Sequence, residues 1–293
     1  MPPLTFFFRL SDLPPWAART ALLEFAENGQ RDVVLSDGIL RQMLGASSAI
    51  RSYRKLLEET GTAFRDAHAT YGELDDLCCP YEDLRPAMLA RHRLSMEIAA
   101  SFGVDTLTIH MGRIADWSIP PRRYIDFALS SLEELLPHAE RTGVTLCIEN
   151  VWYQTSSASS LLEAVRRFPT PALGVCYDAA HANIMAGRNR APENRMWGTY
   201  PDREPDWNDH VLEDVLPYVV NCHLHDNDGA SDQHRLPGEG TVPWAAVMPL
   251  LLSAPRLRCI QCEAGASSTF QPVFSIRRAV ETLRRLVATG SPA

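Results

Sequence analysis

Short, almost continuously apolar runs alternate along this chain with longer segments whose apolar residues recur every three or four positions. The short runs are LTFFFRL (4–10), RDVVLSD (31–37), AFRDAHA (63–69), DTLTIHM (105–111), TLCIENV (145–151), LGVCYDA (173–179), YVVNCHLHD (218–226) and RCIQCEA (258–264). Unbroken apolar character marks strands covered on both faces, as in a parallel sheet. The helical segments are residues 15–29, 47–61, 85–103, 121–143, 157–168, 207–218, 244–254 and 273–290; Ile125, Leu129, Leu132 and Leu136 show the spacing in one of them. Several begin after Ser, Asp or Pro and stop at Gly, as helix ends do. Eight strand–helix repeats predict an α/β fold, a single (β/α)8 TIM barrel spanning residues 1–293. No G-x-G-x-x-G follows the first strand and no P-loop motif occurs, so nothing points to a nucleotide site.

Composition narrows the class. Hydrophobic residues make up 45% of the chain, enough to fill a large core. The net charge of -8 argues against a nucleic-acid partner held through phosphate contacts. The opening MPPLTFFFRLSDLPPW lacks the pattern of a signal peptide, and no apolar run approaches the roughly 20 residues of a membrane helix, so a cytoplasmic protein is expected. Of the 7 cysteines, Cys147, Cys176, Cys222, Cys259 and Cys262 fall inside strand runs and read as small core residues. Cys78 and Cys79 are adjacent and have no C-x-x-C partner, which makes a zinc knuckle a poor reading and a reducing compartment a good one. Lys55, the one lysine, sits in a solvated helical pattern, away from any strand end where Schiff-base chemistry would need it.

The chemistry lies where the strands stop. His68 closes the third strand, His110 the fourth, Glu149 the fifth and Asp178 the sixth, with His181 just after it. His223, His225 and Asp226 close the seventh strand, Asp232 and His234 follow, and Glu263 closes the eighth. In a closed barrel these ends converge on one face. Each residue alone has a plainer reading: a hydrogen-bonded loop histidine, or a carboxylate capping the next helix. Such readings would have to hold at six successive strands, and so many carboxylates and imidazoles facing one another would be unfavourable without a cation. Mixed imidazole and carboxylate donors suit a divalent ion. His92, His138 and His210 fall in helical patterns and read as surface residues.

This ordered set (H, H, E-N, D-x-x-H, H-L-x-D, D-x-H-x-x-x-G-E-G, E) resembles the xylose-isomerase-like barrel superfamily, from the third strand to the eighth. That superfamily holds sugar phosphate isomerases and epimerases and also the AP-endonuclease (endonuclease IV-like) family. For the isomerases and epimerases the resemblance implies one Zn, Mn or Mg ion on Glu149, Asp178, His223 and Glu263. For the endonuclease-like members it implies a three-zinc cluster that adds His68, His110, His181, Asp232 and His234. Strand seven stays open, since the H-L-x-D spacing favours His223 while an H-x-H reading favours His225. Two departures matter. Xylose isomerases proper use a catalytic lysine at a strand end, absent here, and the only Arg-rich candidate for gripping DNA is the loop with Arg188, Arg190 and Arg195, where Asp202, Glu204 and Asp206 follow closely.

The leading expectation is a metal-dependent isomerase or epimerase of a sugar, sugar phosphate or related hydroxy-carbonyl compound, with Glu149 and Glu263 as the acid/base pair. His181, His225 and Arg235 are expected to orient the substrate, and Trp152, Tyr153 and Trp117 to stack on it. The alternative is a multi-zinc phosphodiester hydrolase, and a non-catalytic binding barrel ranks third. The expected partner is a small carbohydrate, not nucleic acid or membrane; oligomeric state, the metal and the number of ions stay open.

Overall fold

The computed structural model describes residues 1–189, 206–265 and 275–292. Eight parallel strands close into a barrel in chain order: β1 (Leu4–Phe6), β2 (Asp32–Leu35), β3 (Ala63–His68), β4 (Thr106–Ile109), β5 (Thr145–Glu149), β6 (Leu173–Asp178), β7 (Val219–Leu224) and β8 (Cys259–Cys262). Each lies inside one of the eight apolar runs. Around them run α1 (Pro15–Glu27), α2 (Asp37–Gly45), α3 (Ser47–Thr60), α4 (Arg85–Ser101), α5 (Pro121–Thr142), α6 (Ala158–Arg167), α7 (Ala179–Ile184), α8 (Val211–Val215), α9 (Trp244–Leu252) and α10 (Ile276–Thr289). None of the described helices is long and apolar enough to cross a membrane.

The chain's punctuation explains the helix ends. α1 and α5 open on Pro15 and Pro121, whose missing N–H is harmless in the first turn. α3, α5 and α10 stop at Gly61, Gly143 and Gly290 in the left-handed conformation. Two short helices were not anticipated. α2 has only nine residues and begins Asp-Gly, and α7 occupies the D-x-x-H stretch. Conversely, the helix expected over 207–218 shortens to Val211–Val215, because Pro217 cannot continue the ladder.

The main core fills the space between strands and helices with residues such as Phe25, Leu40, Met96, Leu132, Leu161 and Leu283. Inside the barrel the filling is unusually polar. Asp66, Thr106, Thr108, Asn221 and Gln261 are fully buried, at levels where branched aliphatic residues commonly sit. All seven cysteines are buried with free thiols, Cys78 and Cys79 included. Two expected surface histidines are buried. His92 places Nε2 2.6 Å from the Asp75 carbonyl, and His138 sits 3.4 Å from Glu97, because both lie on the inward faces of α4 and α5. His210 is exposed, as expected.

Candidate active site at the barrel mouth

Strand register brings the donors together. Asp178 pairs directly with His223, and His223 with Gln261, two residues before Glu263. Along β7 and its extension, Asn221, His223 and His225 share one side through the two-residue period of a strand. Above them a cavity of about 440 Å³ opens at the C-terminal mouth of the barrel. His68, His110, Glu149, Trp152, Tyr153, His181, Asp232, His234 and Glu263 all line it. Asp178, His223 and His225 lie just beneath, with no exposed surface.

Glu149 is the centre. Its Oε2 lies 3.0 Å from His110 Nε2 and 3.4 Å from His68 Nε2, and its Oε1 lies 3.2 Å from His223 Nδ1 and 3.3 Å from His181 Nδ1. Glu263 Oε2 approaches His223 Nδ1 to 2.9 Å. Asp178 works with both oxygens: Oδ1 accepts the His181 amide at 2.7 Å, capping α7, and Oδ2 lies 3.0 Å from His225 Nε2. Asn150 sets this end of β6 through reciprocal bonds, donating to the Asp178 carbonyl at 2.9 Å and accepting the Asp178 amide at 2.8 Å. The His234 Nε2–H donates to Asp232 at 3.0 Å, and the His234 ring stacks on His225 with centroids 4.0 Å apart.

Charge follows geometry. Burial works against ionising Glu149, yet the His223 charge and hydrogen bonds from His110, His181 and His223 hold its carboxyl well below the usual range. Glu263, buried too, is held at about 2 by His223 and His234. Burial disfavours the imidazolium forms, but the groups around them overcome it: Cys176, Glu263 and Glu149 at His223, and Asp178, Asp232 and Glu149 at His181. His223 and His181 are raised well above the ordinary histidine range, and Asp232 raises His234 to about 9.

The donor set fits a divalent cation. Glu149, Asp178, His223 and Glu263 each offer an atom within 4.8 Å of the others, and so do the groups His68–Glu149–His223, Asp178–His181–His225 and His225–His234–Glu263. Imidazole nitrogen with carboxylate oxygen is the ligand chemistry of zinc and manganese sites. Two buried atoms, His225 Nδ1 and Asp232 Oδ1, face each other at 4.0 Å without a hydrogen-bond partner, as atoms awaiting a shared cation would.

Proton linkage gives a testable consequence for the metal-free protein. His234 rises from 6.5 to about 9 on folding, so its contribution to stability is complete below 6.5 and vanishes as pH rises through 9. Glu263 falls from 4.5 to about 2, so its contribution is complete above 4.5 and vanishes as pH falls through 2. Thermal melting in the presence of a chelator is therefore expected to show Tm falling between pH 7 and pH 10. A Tm that climbs over that interval contradicts the His234–Asp232 pairing.

Some expectations do not reach the cavity. Arg235 spends its guanidinium on the Glu239 carbonyl at 3.2 Å, while its backbone pairs with Asp226. Trp117 stands 39% exposed in the β4–α5 loop, off the cavity wall. Asp226 offers nothing to the site: its carboxylate accepts the amides of Asn227, Gly238 and Val242 and the Trp244 indole N–H, at 2.8–3.0 Å. Gly240 is obligatory in that loop, because a Cβ there would lie 2.2 Å from the Asn227 carbonyl. Arg190, Arg195, Asp202 and Glu204 lie outside the described residues. Sequence reading missed Phe7, Tyr71, Arg9, Arg113, Asp37 and Glu73 on the cavity wall. Phe7 and Tyr71 sit one and three residues past β1 and β3, a placement that could have flagged them.

Comparison with known proteins places this arrangement. An uncharacterized protein of Methanocaldococcus jannaschii is 26% identical over 59% of this chain, which spans 58% of that relative's length. A probable endonuclease 4 of Natronomonas pharaonis is 27% identical over 78% of this chain and 84% of its own. Fructoselysine 3-epimerase of Escherichia coli O157:H7 is 26% identical over 70% and 69% of the two chains. The structure of D-psicose 3-epimerase with D-tagatose from Clostridium cellulolyticum H10 superposes with a TM-score of 0.69 at 14% identity over 98% of each chain, which attests the fold. The family of xylose isomerase-like TIM barrels matches residues 23–286, the whole span that carries the site residues, and the chain belongs to it.

Proposed function

We propose that the protein is a divalent-metal-dependent isomerase or epimerase of a small polyhydroxy carbonyl compound. One observation carries the reading: four buried donors, Glu149, Asp178, His223 and Glu263, converge within 4.8 Å on the floor of a cavity of about 440 Å³. That volume suits a sugar-sized ligand. The wall supplies apolar faces from Phe7, Tyr71, Trp152 and Tyr153, against which a sugar ring could lie. The fructoselysine 3-epimerase relative supports the same class.

A cation on these four residues would supply Lewis-acid polarisation of a substrate carbonyl. The chain supplies the rest. Glu149 and Glu263, both on the cavity wall, are the carboxylates that would take a proton from a carbon beside that carbonyl and return it. His110 and His68 hold one oxygen of Glu149 and aim the other inward. His181, on the cavity wall beside Trp152 (ring centroids 4.9 Å apart), orients a substrate hydroxyl.

The experiment is a metal analysis of purified protein, then a screen of ketoses and their phosphates for exchange of a carbon-bound proton with solvent. About one ion per chain with exchange on some ketose is expected; no exchange on any of them removes the proposal. A second reading, a hydrolase using several ions, is favoured by the additional donors His68, His181, His225 and His234, with Asp232 beside His181 and His234, and by the endonuclease 4 relative. It predicts about three ions and salt-sensitive DNA binding. On the cavity wall Asp37, Glu73 and Asp76 outnumber Arg9 and Arg113, a balance that disfavours a polyanionic substrate.

A further inference from the structure

The polar layer inside the barrel, beneath the cavity floor, forms one connected chain. Asp66 accepts hydrogen bonds from the Ala67 amide at 2.9 Å, Thr106 Oγ1 at 2.7 Å and Asn221 Nδ2 at 3.1 Å. The Asn221 amide turns its NH2 group to Asp66. The same NH2 group gives its second hydrogen to Thr108 Oγ1 at 2.9 Å. One lone pair of Thr108 is thereby occupied, and the oxygen lies 3.4 Å from His223 Nε2. The other nitrogen of that ring, Nδ1, is the one facing Glu263, Glu149 and Asp178 at 2.9, 3.2 and 3.8 Å. All of these polar side chains except Glu149 and Glu263 are fully buried, so no solvent competes for the contacts.

We propose that Thr108, fixed in place by Asn221 and Asp66, is a positioning residue that accepts the Nε2 hydrogen of His223 and so frees Nδ1 to give its lone pair to a cation held among Glu149, Asp178 and Glu263. The chain acts at a distance from the cavity and touches no substrate. Its effect is on which nitrogen of His223 carries hydrogen and on how firmly the ring is held, the role that outer partners of metal-binding histidines commonly play. An aliphatic side chain at position 108 would take away the hydroxyl acceptor that lies 3.4 Å from Nε2, in a place where no water can replace it. This inference rests on the reading that His223 binds a divalent cation.

The test compares Thr108→Val, which keeps the shape and removes the acceptor, with Thr108→Ser, which keeps the acceptor. Metal-stripped proteins are titrated with Co(II), following its visible absorption. Thr108→Val is expected to bind about 10- to 100-fold more weakly, with an altered spectrum, and Thr108→Ser to match the wild type. Independently of any variant, 15N-histidine spectra of the zinc-loaded wild type are expected to show His223 protonated at Nε2. Equal Co(II) affinity in Thr108→Val and wild type, an equal loss in Thr108→Ser, or a hydrogen on Nδ1 overturns the inference while leaving the metal-dependent function standing. A wild type that binds no Co(II) or zinc overturns both.

Discussion

Glu149→Gln is expected to lower turnover of an identified substrate by about 10²- to 10⁴-fold, the span that a positioned acid or base contributes. The substitution keeps the shape of the side chain and removes its charge. In the native site that charge is surrounded by four imidazoles within 3.4 Å, from His68, His110, His181 and His223. The substituted amide would still fill the space and could accept hydrogen bonds from some of them. It could neither take up a proton nor favour the imidazolium forms of its neighbours, so a weaker hold on the cation accompanies the loss of turnover. Measuring turnover at saturating metal separates the two effects, and a melting curve shows that the fold survives. Unchanged turnover would remove Glu149 from the mechanism.

Chelation is expected to abolish turnover and to lower Tm by roughly 10 °C, both reversed by adding Mn(II) or Zn(II). The magnitude follows from linkage. A ligand at about a thousand times its dissociation constant adds about 4 kcal/mol to the folded state. In a chain of this size each kcal/mol shifts Tm by roughly 2–4 °C. The structural reason for expecting a large value is the crowding of Glu149, Asp178 and Glu263, all buried, around one point. Imidazolium partners meet part of that charge in the metal-free protein, and a cation would meet it while freeing those imidazoles to act as neutral ligands. Identical melting curves with chelator and with added metal would sink the metal-dependent function.

How far could these features be read from the sequence? Most of the strands were legible because they are buried on both faces and so largely apolar; β3, with Ala63 and Arg65 exposed, was marked instead by its place in the alternation with helices. The strand-end donors were legible because a barrel gathers all such ends on one side. Helices α2 and α7 were not: α7 has only six residues, and α2 opens Asp-Gly and runs almost directly into α3. Arg235 was misjudged because a charged residue beside Asp232 and His234 looks like a site residue, whereas the local turn folds its guanidinium onto Glu239. His92 and His138 sit among polar neighbours, and only helix–helix packing decides that they point inward. Asp66, Thr108 and Asn221 lie two residues before His68, His110 and His223, an alternation visible in the sequence. What was invisible is that the three, from separate strands, touch.

Asp226 gives nothing to the cavity, yet with Gly238, Gly240, Val242 and Trp244 it shapes the loop that delivers Asp232 and His234. A designer who transplanted only those two donors onto another barrel would move the atoms without their scaffold. The portable unit runs from His223 to Trp244.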